Sequence, residues 1–197
     1  MADFADRQEL NDRLNLIETM IAEGRQKTES WGWTFVLWGI AYYVAIAWST
    51  WGHSHYAWPV TMIGTSILTA VIASLRGKRE PDTTIGRSIG AIWIGLGCSL
   101  FILCLSTALS GRAEQHVFLG MIEAMLGAAN ATSGIILRWK AQFACAIVWW
   151  AATVVSLFGY INQSSYAFLI AIFLCQIVFG AYISIAEARQ RKQAVHV

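Results

Sequence analysis

Six apolar stretches, each long enough to cross a lipid bilayer, constrain the fold of this chain more than any other feature. A spanning helix needs about 20 apolar residues. The stretches cover residues 31–51, 57–75, 88–110, 117–137, 141–160 and 165–186. In lipid the backbone must satisfy its own hydrogen bonds, and none of the stretches shows the polar–apolar alternation of a barrel strand. We therefore expect an all-α polytopic membrane bundle of six transmembrane helices.

The charged residues separate the predicted membrane part from the rest. They make up 13% of the chain, and Glu123 is the single one inside a predicted span. Of the 14 Lys and Arg residues, all but Arg112 fall in the two tails or in the second and fourth loops. The positive-inside rule then places both termini in the cytoplasm. Residues 1–30 are polar and rich in acids, so we expect no cleavable signal peptide.

Three parts follow from these boundaries. Residues 1–30 are expected to form a cytoplasmic amphipathic helix and linker, residues 31–186 the six-helix transmembrane domain, and residues 187–197 a basic cytoplasmic tail. Trp38, Trp93 and Trp149 recur at spacings of 55 and 56 residues, each in the first helix of a successive pair. The spans are thus either three repeats of one helical hairpin or three unrelated hairpins that look alike because the same topology rules apply to each.

An apolar stripe marks the N-terminal segment. Leu10, Leu14, Ile17 and Ile21 are spaced four, three and four residues apart, which places them on one face of a helix. Gly24 follows as the predicted stop signal. The stripe predicts a helix that uses this face to contact another apolar surface.

The net charge of residues 1–30 limits which surfaces the apolar stripe could contact. Residues 1–30 hold seven acids and four bases, a net charge of −3, which disfavours electrostatic docking onto an anionic membrane. Two alternatives remain: association with a second copy or another membrane or cytoplasmic protein, or a lid over the basic loop around residues 76–79. Two heptads are short for an independent coiled coil, so either contact needs support from the bundle.

Small residues in the fourth predicted span recur at four, three, four and three residues, and form a helix-packing seam of Gly120, Ala124, Gly127, Ala131 and Gly134. Glu123 and Asn130 share the same wedge of the helix. Small side chains let a neighbouring helix approach closely, which substitutes for the hydrophobic effect inside lipid. This pattern predicts that the fourth span is central and faces protein.

Glu123 is the candidate residue for binding an ion or a proton, or for a polar lock, meaning a hydrogen bond that holds two helices together. It lies about 9 Å inside the span, where a lone carboxylate costs several kcal/mol unless it is protonated, hydrated or paired. Its candidate partners are Gln176, Asn130, Tyr42, Tyr43 and Arg112. Two interpretations stay open: a group that binds a proton or a cation, or a hydrogen bond that locks helices together.

The remaining residue types indicate no catalytic or cofactor site. The four histidines, His53, His55, His116 and His196, all lie outside the middle of the spans, so haem ligation is not expected. The sequence lacks C-x-x-C pairs, phosphate-binding glycine loops and the H-E-x-x-H and G-x-S-x-G motifs. We expect no enzyme, no cofactor, no metal site and no nucleic-acid partner.

The strings LNLIETMI at residues 14–21 and FVLWGI at residues 35–40 resemble a group of small, uncharacterised bacterial six-span membrane proteins with an N-terminal amphipathic helix. The likeness covers about the first 50 residues and implies a bacterial inner-membrane location and no site. Taken together, the sequence favours a non-enzymatic scaffold or sensor-type subunit that assembles through its N-terminal helix and the small-residue seam. The alternative is a small transporter or channel that uses Glu123.

Overall fold

The computed structural model of the chain is all-helical and describes residues 2–52, 56–76, 84–110 and 114–195. Its helices are α1 (Ala2–Ser30), α2 (Gly32–Gly52), α3 (Ala57–Arg76), α4 (Thr84–Ser110), α5 (Gln115–Ile136), α6 (Lys140–Phe158), α7 (Ile161–Ile172) and α8 (Phe179–Val195). A π-helical segment, Phe173–Val178, joins α7 to α8. Four residues named above, His53, His55, Arg112 and His196, lie outside the described residues, as do Lys78 and Arg79 of the basic loop at residues 76–79.

In the described part of the chain, six helical stretches are long and apolar enough to cross a membrane, as predicted. They are Gly32–Gly52, Ala57–Leu75, Thr84–Thr107, Gln115–Ile136, Lys140–Phe158 and Ile161–Arg189. The fourth stretch, α5, is the most enclosed, because 61% of its most apolar window is buried, against 6% for α3 and 11% for α4. The expected central position of the fourth span is thereby confirmed.

The core of the bundle is centred on the pair α5 and α6, which pack more extensively than any other two helices of the described chain. Trp149 of α6 is fully buried, and its ring centroid lies 6.1 Å from that of Phe168 in α7. Trp38 and Trp93 are only half-buried. The three predicted hairpins therefore do not pack equivalently, since the tightest pair joins the second predicted hairpin to the third.

The starts of α2 and α4 and the turn between α5 and α6 lie at one end of the bundle. A Cβ at Gly24 would lie within 3.3 Å of both Ile85 and Leu137, and one at Gly32 would lie 2.7 Å from Ile183. We call this end the basic end, after its cationic residues Arg25, Arg87, Arg138, Lys140 and Arg189.

Gly24 does not end the first helix, and that prediction is wrong. α1 continues to Ser30, and Gly24 is buried where α1 crosses α4. A Cβ at this position would lie 2.5 Å from Ile85 Cγ2, so the glycine permits a close crossing. The Arg25 guanidinium lies 5.1 Å from the Trp139 ring centroid, within range of a cation–π contact. These contacts attach the C-terminal part of α1 to the basic end.

The turn between α5 and α6 places Arg138 in the left-handed region at φ 49°. The Trp139 amide donates to the Gly134 carbonyl at 2.8 Å, and the Arg138 amide donates to the Ile135 carbonyl at 3.1 Å. This is the Schellman pattern that ends helices, and it favours glycine at the left-handed position. The turn therefore holds an L side chain in a conformation that costs free energy.

Replacement of Arg138 by glycine should stabilise the protein. Arg138→Gly removes the steric penalty of the left-handed conformation, so we expect the free energy of unfolding to rise by about 1 kcal/mol. Thermal unfolding of the detergent-purified chain measures this change. Ala144→Gly, which places a glycine at an exposed position inside α6, is the control and should lower stability. An unchanged or lower Tm for Arg138→Gly would contradict the argument.

Candidate functional site

The small-residue seam of α5 is filled by α6 of the same chain. Each of its three glycines faces one α6 residue, and the pairs are Gly120–Leu157, Gly127–Trp150 and Gly134–Phe143. Successive pairs step seven residues along both helices, the register of helices that cross at a shallow angle. A Cβ at Gly134 would lie 2.8 Å from the Phe143 backbone nitrogen. The glycines of the seam therefore serve a contact within the chain, and the expected role of the seam in contacts between chains stays a prediction.

The two alanines of the seam differ in burial. Ala131 is buried, and Ala124 is half-buried. The seam thus brings two helices together along most of the length of α5.

A larger side chain at Gly127 should separate α5 from α6. A Cβ at this position would overlap the Trp150 indole, so Gly127→Val should lower the free energy of unfolding by about 1–3 kcal/mol. Gly95→Val is the matched control, because a Cβ at Gly95 would meet no atom within 4 Å. The measurement is thermal unfolding in detergent, and equal losses for both variants would show that the close approach is not responsible.

The close approach of α5 and α6 encloses a set of polar side chains that we call the polar column. Its members are buried and carry at least one side-chain polar atom without a hydrogen-bond partner among the described residues: Glu123, Asn130, Ser133, Gln142, Trp149 and Ser156. Buried polar groups in proteins are nearly always hydrogen-bonded, so such a set requires an explanation.

Glu123 lies at the end of the column far from the basic end. It is fully buried, and neither carboxyl oxygen has a hydrogen-bond partner in the described chain. The Ser156 hydroxyl is close enough to interact with the carboxyl, but the pair does not meet hydrogen-bond geometry. Ser164 of α7 donates to the Ser156 carbonyl at 3.2 Å and so holds α7 against α6 at this level.

Asn130 forms the middle level of the column. Its Nδ2 donates to the Leu126 carbonyl at 2.9 Å, which leaves Oδ1 unpaired. The register of the hairpin places Asn130 level with Trp149, whose indole N–H is also unpaired. Seven residues separate this level from Glu123, a rise of about 10.5 Å. No direct hydrogen bond spans that distance, so Glu123 and the Asn130 level can be linked by hydrogen bonds only through molecules that lie between them.

Gln142 and Ser133 form the level nearest the basic end. Gln142 is fully buried, and both its amide nitrogen and its amide oxygen lack a partner in the described chain. The Ser133 hydroxyl, three residues beyond Asn130, is buried and unpaired as well. The column therefore reaches along most of the hairpin.

The structure does not bring Gln176 to Glu123. Gln176 lies in the π-helical segment, where its Cβ is 2.9 Å from the position of a Cβ at Gly39 of α2. Tyr43, one of the two tyrosines proposed as partners of Glu123, donates its hydroxyl hydrogen to the Leu169 carbonyl at 2.8 Å. None of Gln176, Asn130, Tyr42 and Tyr43 bonds to the Glu123 carboxyl in the described structure.

Sequence reasoning missed four members of the column, Ser133, Gln142, Trp149 and Ser156, and a signal for the last three was present. Gln142, Trp149 and Ser156 are spaced seven residues apart on α6, as are Glu123 and Asn130 on α5. A seven-residue polar repeat in each of two consecutive apolar helices indicates facing polar faces. The arrangement supplies carboxyl, amide and hydroxyl oxygens, which are the ligands that hard cations and water prefer.

Comparison of the chain with protein-family models, with characterised proteins and with solved structures gives no match.

Proposed function

We propose that the protein is a non-enzymatic, multi-pass protein of the bacterial cytoplasmic membrane that assembles with a second copy of itself through α1. Six apolar helices support membrane placement, and the cationic residues of the basic end support cytoplasmic termini. The observation that carries the assembly is an exposed apolar face on a helix whose other end is attached to the bundle. Such an arrangement supports a role as a scaffold or sensor-type subunit.

The exposed face lies in the N-terminal part of α1. Leu10 is 58% exposed, and Leu14 and Ile17 are each 51% exposed, whereas Ile21 is half-buried. Gly24 and Arg25 then attach the helix to α4 and to Trp139. Attachment at one end reduces the entropy lost when the free face binds, which compensates for the shortness of the stripe.

Charge beside the stripe favours a second copy in parallel orientation. With Leu10 and Ile17 at d positions and Leu14 at an a position, Arg13 takes a g position and Glu18 an e position. Residues at g and at the following e position, five residues later, pair between parallel helices, so Arg13 of each chain meets Glu18 of the other. Both side chains are exposed, and Arg13 pairs with Glu9 within the isolated chain.

Charge reversal tests this pairing. We expect Arg13→Glu to weaken the dimer because it places two acids together, and Glu18→Arg to weaken it by placing two bases together. The double variant restores opposite charges and should recover most of the dimer. Native mass measurement of the full chain in lipid nanodiscs gives the dimer fraction. A monomeric wild-type chain, or a double variant as weak as either single variant, would overturn the proposal.

Cysteine cross-linking supplies a second, positional measurement. Leu14→Cys should form a disulfide between chains in isolated membranes under mild oxidation, because an a position faces its own copy. Thr19→Cys, exposed on the opposite face of α1, is the matched control and should not cross-link. Equal cross-linking at both positions would indicate nonspecific collision, and none at either would indicate another occupant of the face.

A second candidate function, binding of a proton or a cation at Glu123, is favoured by one specific observation. Among the described residues, both oxygens of the fully buried Glu123 carboxyl lack a hydrogen-bond partner, and each further level of the polar column adds oxygens or N–H groups without one. An isolated buried carboxylate is costly, so a bound proton, cation or water would relieve an unfavourable charge. The wide separation of the levels favours a binding group over a direct proton relay.

Proton flux into proteoliposomes under an imposed membrane potential tests this candidate. Glu123→Gln keeps the side-chain shape but removes the charge, so it should reduce the flux to that of protein-free liposomes. Glu114→Gln, which alters an exposed acid next to the same helix, should leave the flux unchanged. A wild-type flux equal to that of protein-free liposomes would exclude transport of protons through Glu123.

A further inference from the structure

A deep cleft separates α4 from α2 and α3. Its volume is about 610 Å³, within the usual range of ligand sites, and α5 and the π-helical segment form its back wall. Within the described chain α3 and α4 make almost no direct contact, although they are consecutive. The cleft is thus a gap in the packing of the bundle, and it opens toward the surface that would face lipid.

The walls of the cleft are apolar and aromatic. Phe35 and Trp38 of α2 lie on one side and Trp93 of α4 on the other, with the Phe35 and Trp93 rings in edge contact at 5.3 Å. Three glycines of α4, Gly86, Gly90 and Gly97, line the cleft, and a Cβ at Gly90 or Gly97 would meet no atom within 4 Å. Gly90 and Gly97 widen the cleft, whereas the glycines of α5 close a helix contact.

Among the residues that the structure describes, Arg87 is the one charged residue lining the cleft, near the start of α4 at the basic end. Trp31, which precedes α2, and Thr34 of α2 lie at the same level and form the other side of the opening. The lining extends along α4 from Gly86 to Leu100, about 21 Å at the rise of an α-helix. One leaflet of a bilayer has a hydrocarbon depth of about 15 Å, so the cleft is long enough for one acyl chain.

We propose that this cleft binds an anionic phospholipid, with one acyl chain between α2 and α4 and the headgroup phosphate at Arg87. The apolar length accommodates the chain, and the guanidinium at the opening forms charge-assisted hydrogen bonds with a phosphate. Trp31 lies beside the opening, at the level where indoles meet lipid headgroups. This inference rests on the proposed membrane placement but does not depend on the α1 dimer.

Lipid retention by the full chain tests the proposal. The protein is purified in mild detergent and titrated with phosphatidylglycerol or with phosphatidylcholine of the same acyl chains, and bound lipid is counted by native mass measurement. The wild type should retain phosphatidylglycerol at about tenfold lower concentration than phosphatidylcholine. Arg87→Gln should remove this preference, because the amide carries no charge. Equal retention of the two lipids by the wild type would overturn the proposal.

A matched glycine pair tests whether the chain occupies the cleft. Gly97→Leu fills the cleft and should reduce retention of both lipids about tenfold. Gly95→Leu adds the same side chain to the same helix outside the cleft lining, where space is also open, and should behave as the wild type. Equal retention by these two variants would overturn the proposal. A change in oligomeric mass caused by Gly97→Leu alone would instead identify a second copy as the occupant.

The charge-reversed α1 variant separates this inference from the proposed assembly. A monomeric Arg13→Glu protein should retain phosphatidylglycerol as the wild type does, because none of the α1 side chains that the structure describes lines the cleft. If the dimer forms normally and no variant changes lipid retention, the lipid proposal fails and the assembly proposal stands.

Discussion

The close approach of α5 to α6 is the contact on which the rest of the bundle depends. Gly120, Gly127 and Gly134 remove the side chains that would hold the helices apart, and α6 places Leu157, Trp150 and Phe143 against them. This contact makes α5 the most enclosed helix. It also encloses the polar column, because groups on facing sides of two closely packed helices lose access to solvent and lipid alike.

Glycine has opposite consequences in two neighbouring helices. On α5 its lack of a side chain is matched by a neighbour that fills the space, and the result is tight packing. On α4 no neighbour fills the space at Gly90 and Gly97, and the result is a cleft. The difference arises from the neighbouring helices, since the intrinsic cost of glycine in a helix is the same in α5 and in α4. The bundle consequently has a rigid half around α5 and α6 and an open half around α3 and α4.

The two proposed contacts of the protein lie at the basic end of the bundle. α1 is attached there by Gly24 and Arg25 and leaves its N-terminal apolar face exposed. The cleft opens at the same end, beside Arg87. The polar column begins there at Gln142 and ends near the opposite end at Glu123. Cationic residues at this end favour anionic headgroups, while the acidic α1 does not compete for them.

The sequence by itself determined the number and place of the six apolar helices, because hydropathy and length are local properties, and it identified α5 as central from its small-residue spacing. It also identified Glu123 as the single charged residue inside a predicted span. Only the tertiary structure decided which helix fills the seam, that Gln176 lines a cleft and not the Glu123 site, and that Gly24 is a crossing point and not a helix end. These outcomes depend on which helices meet, and lipid-soluble helices of similar apolarity carry little local information about their partners.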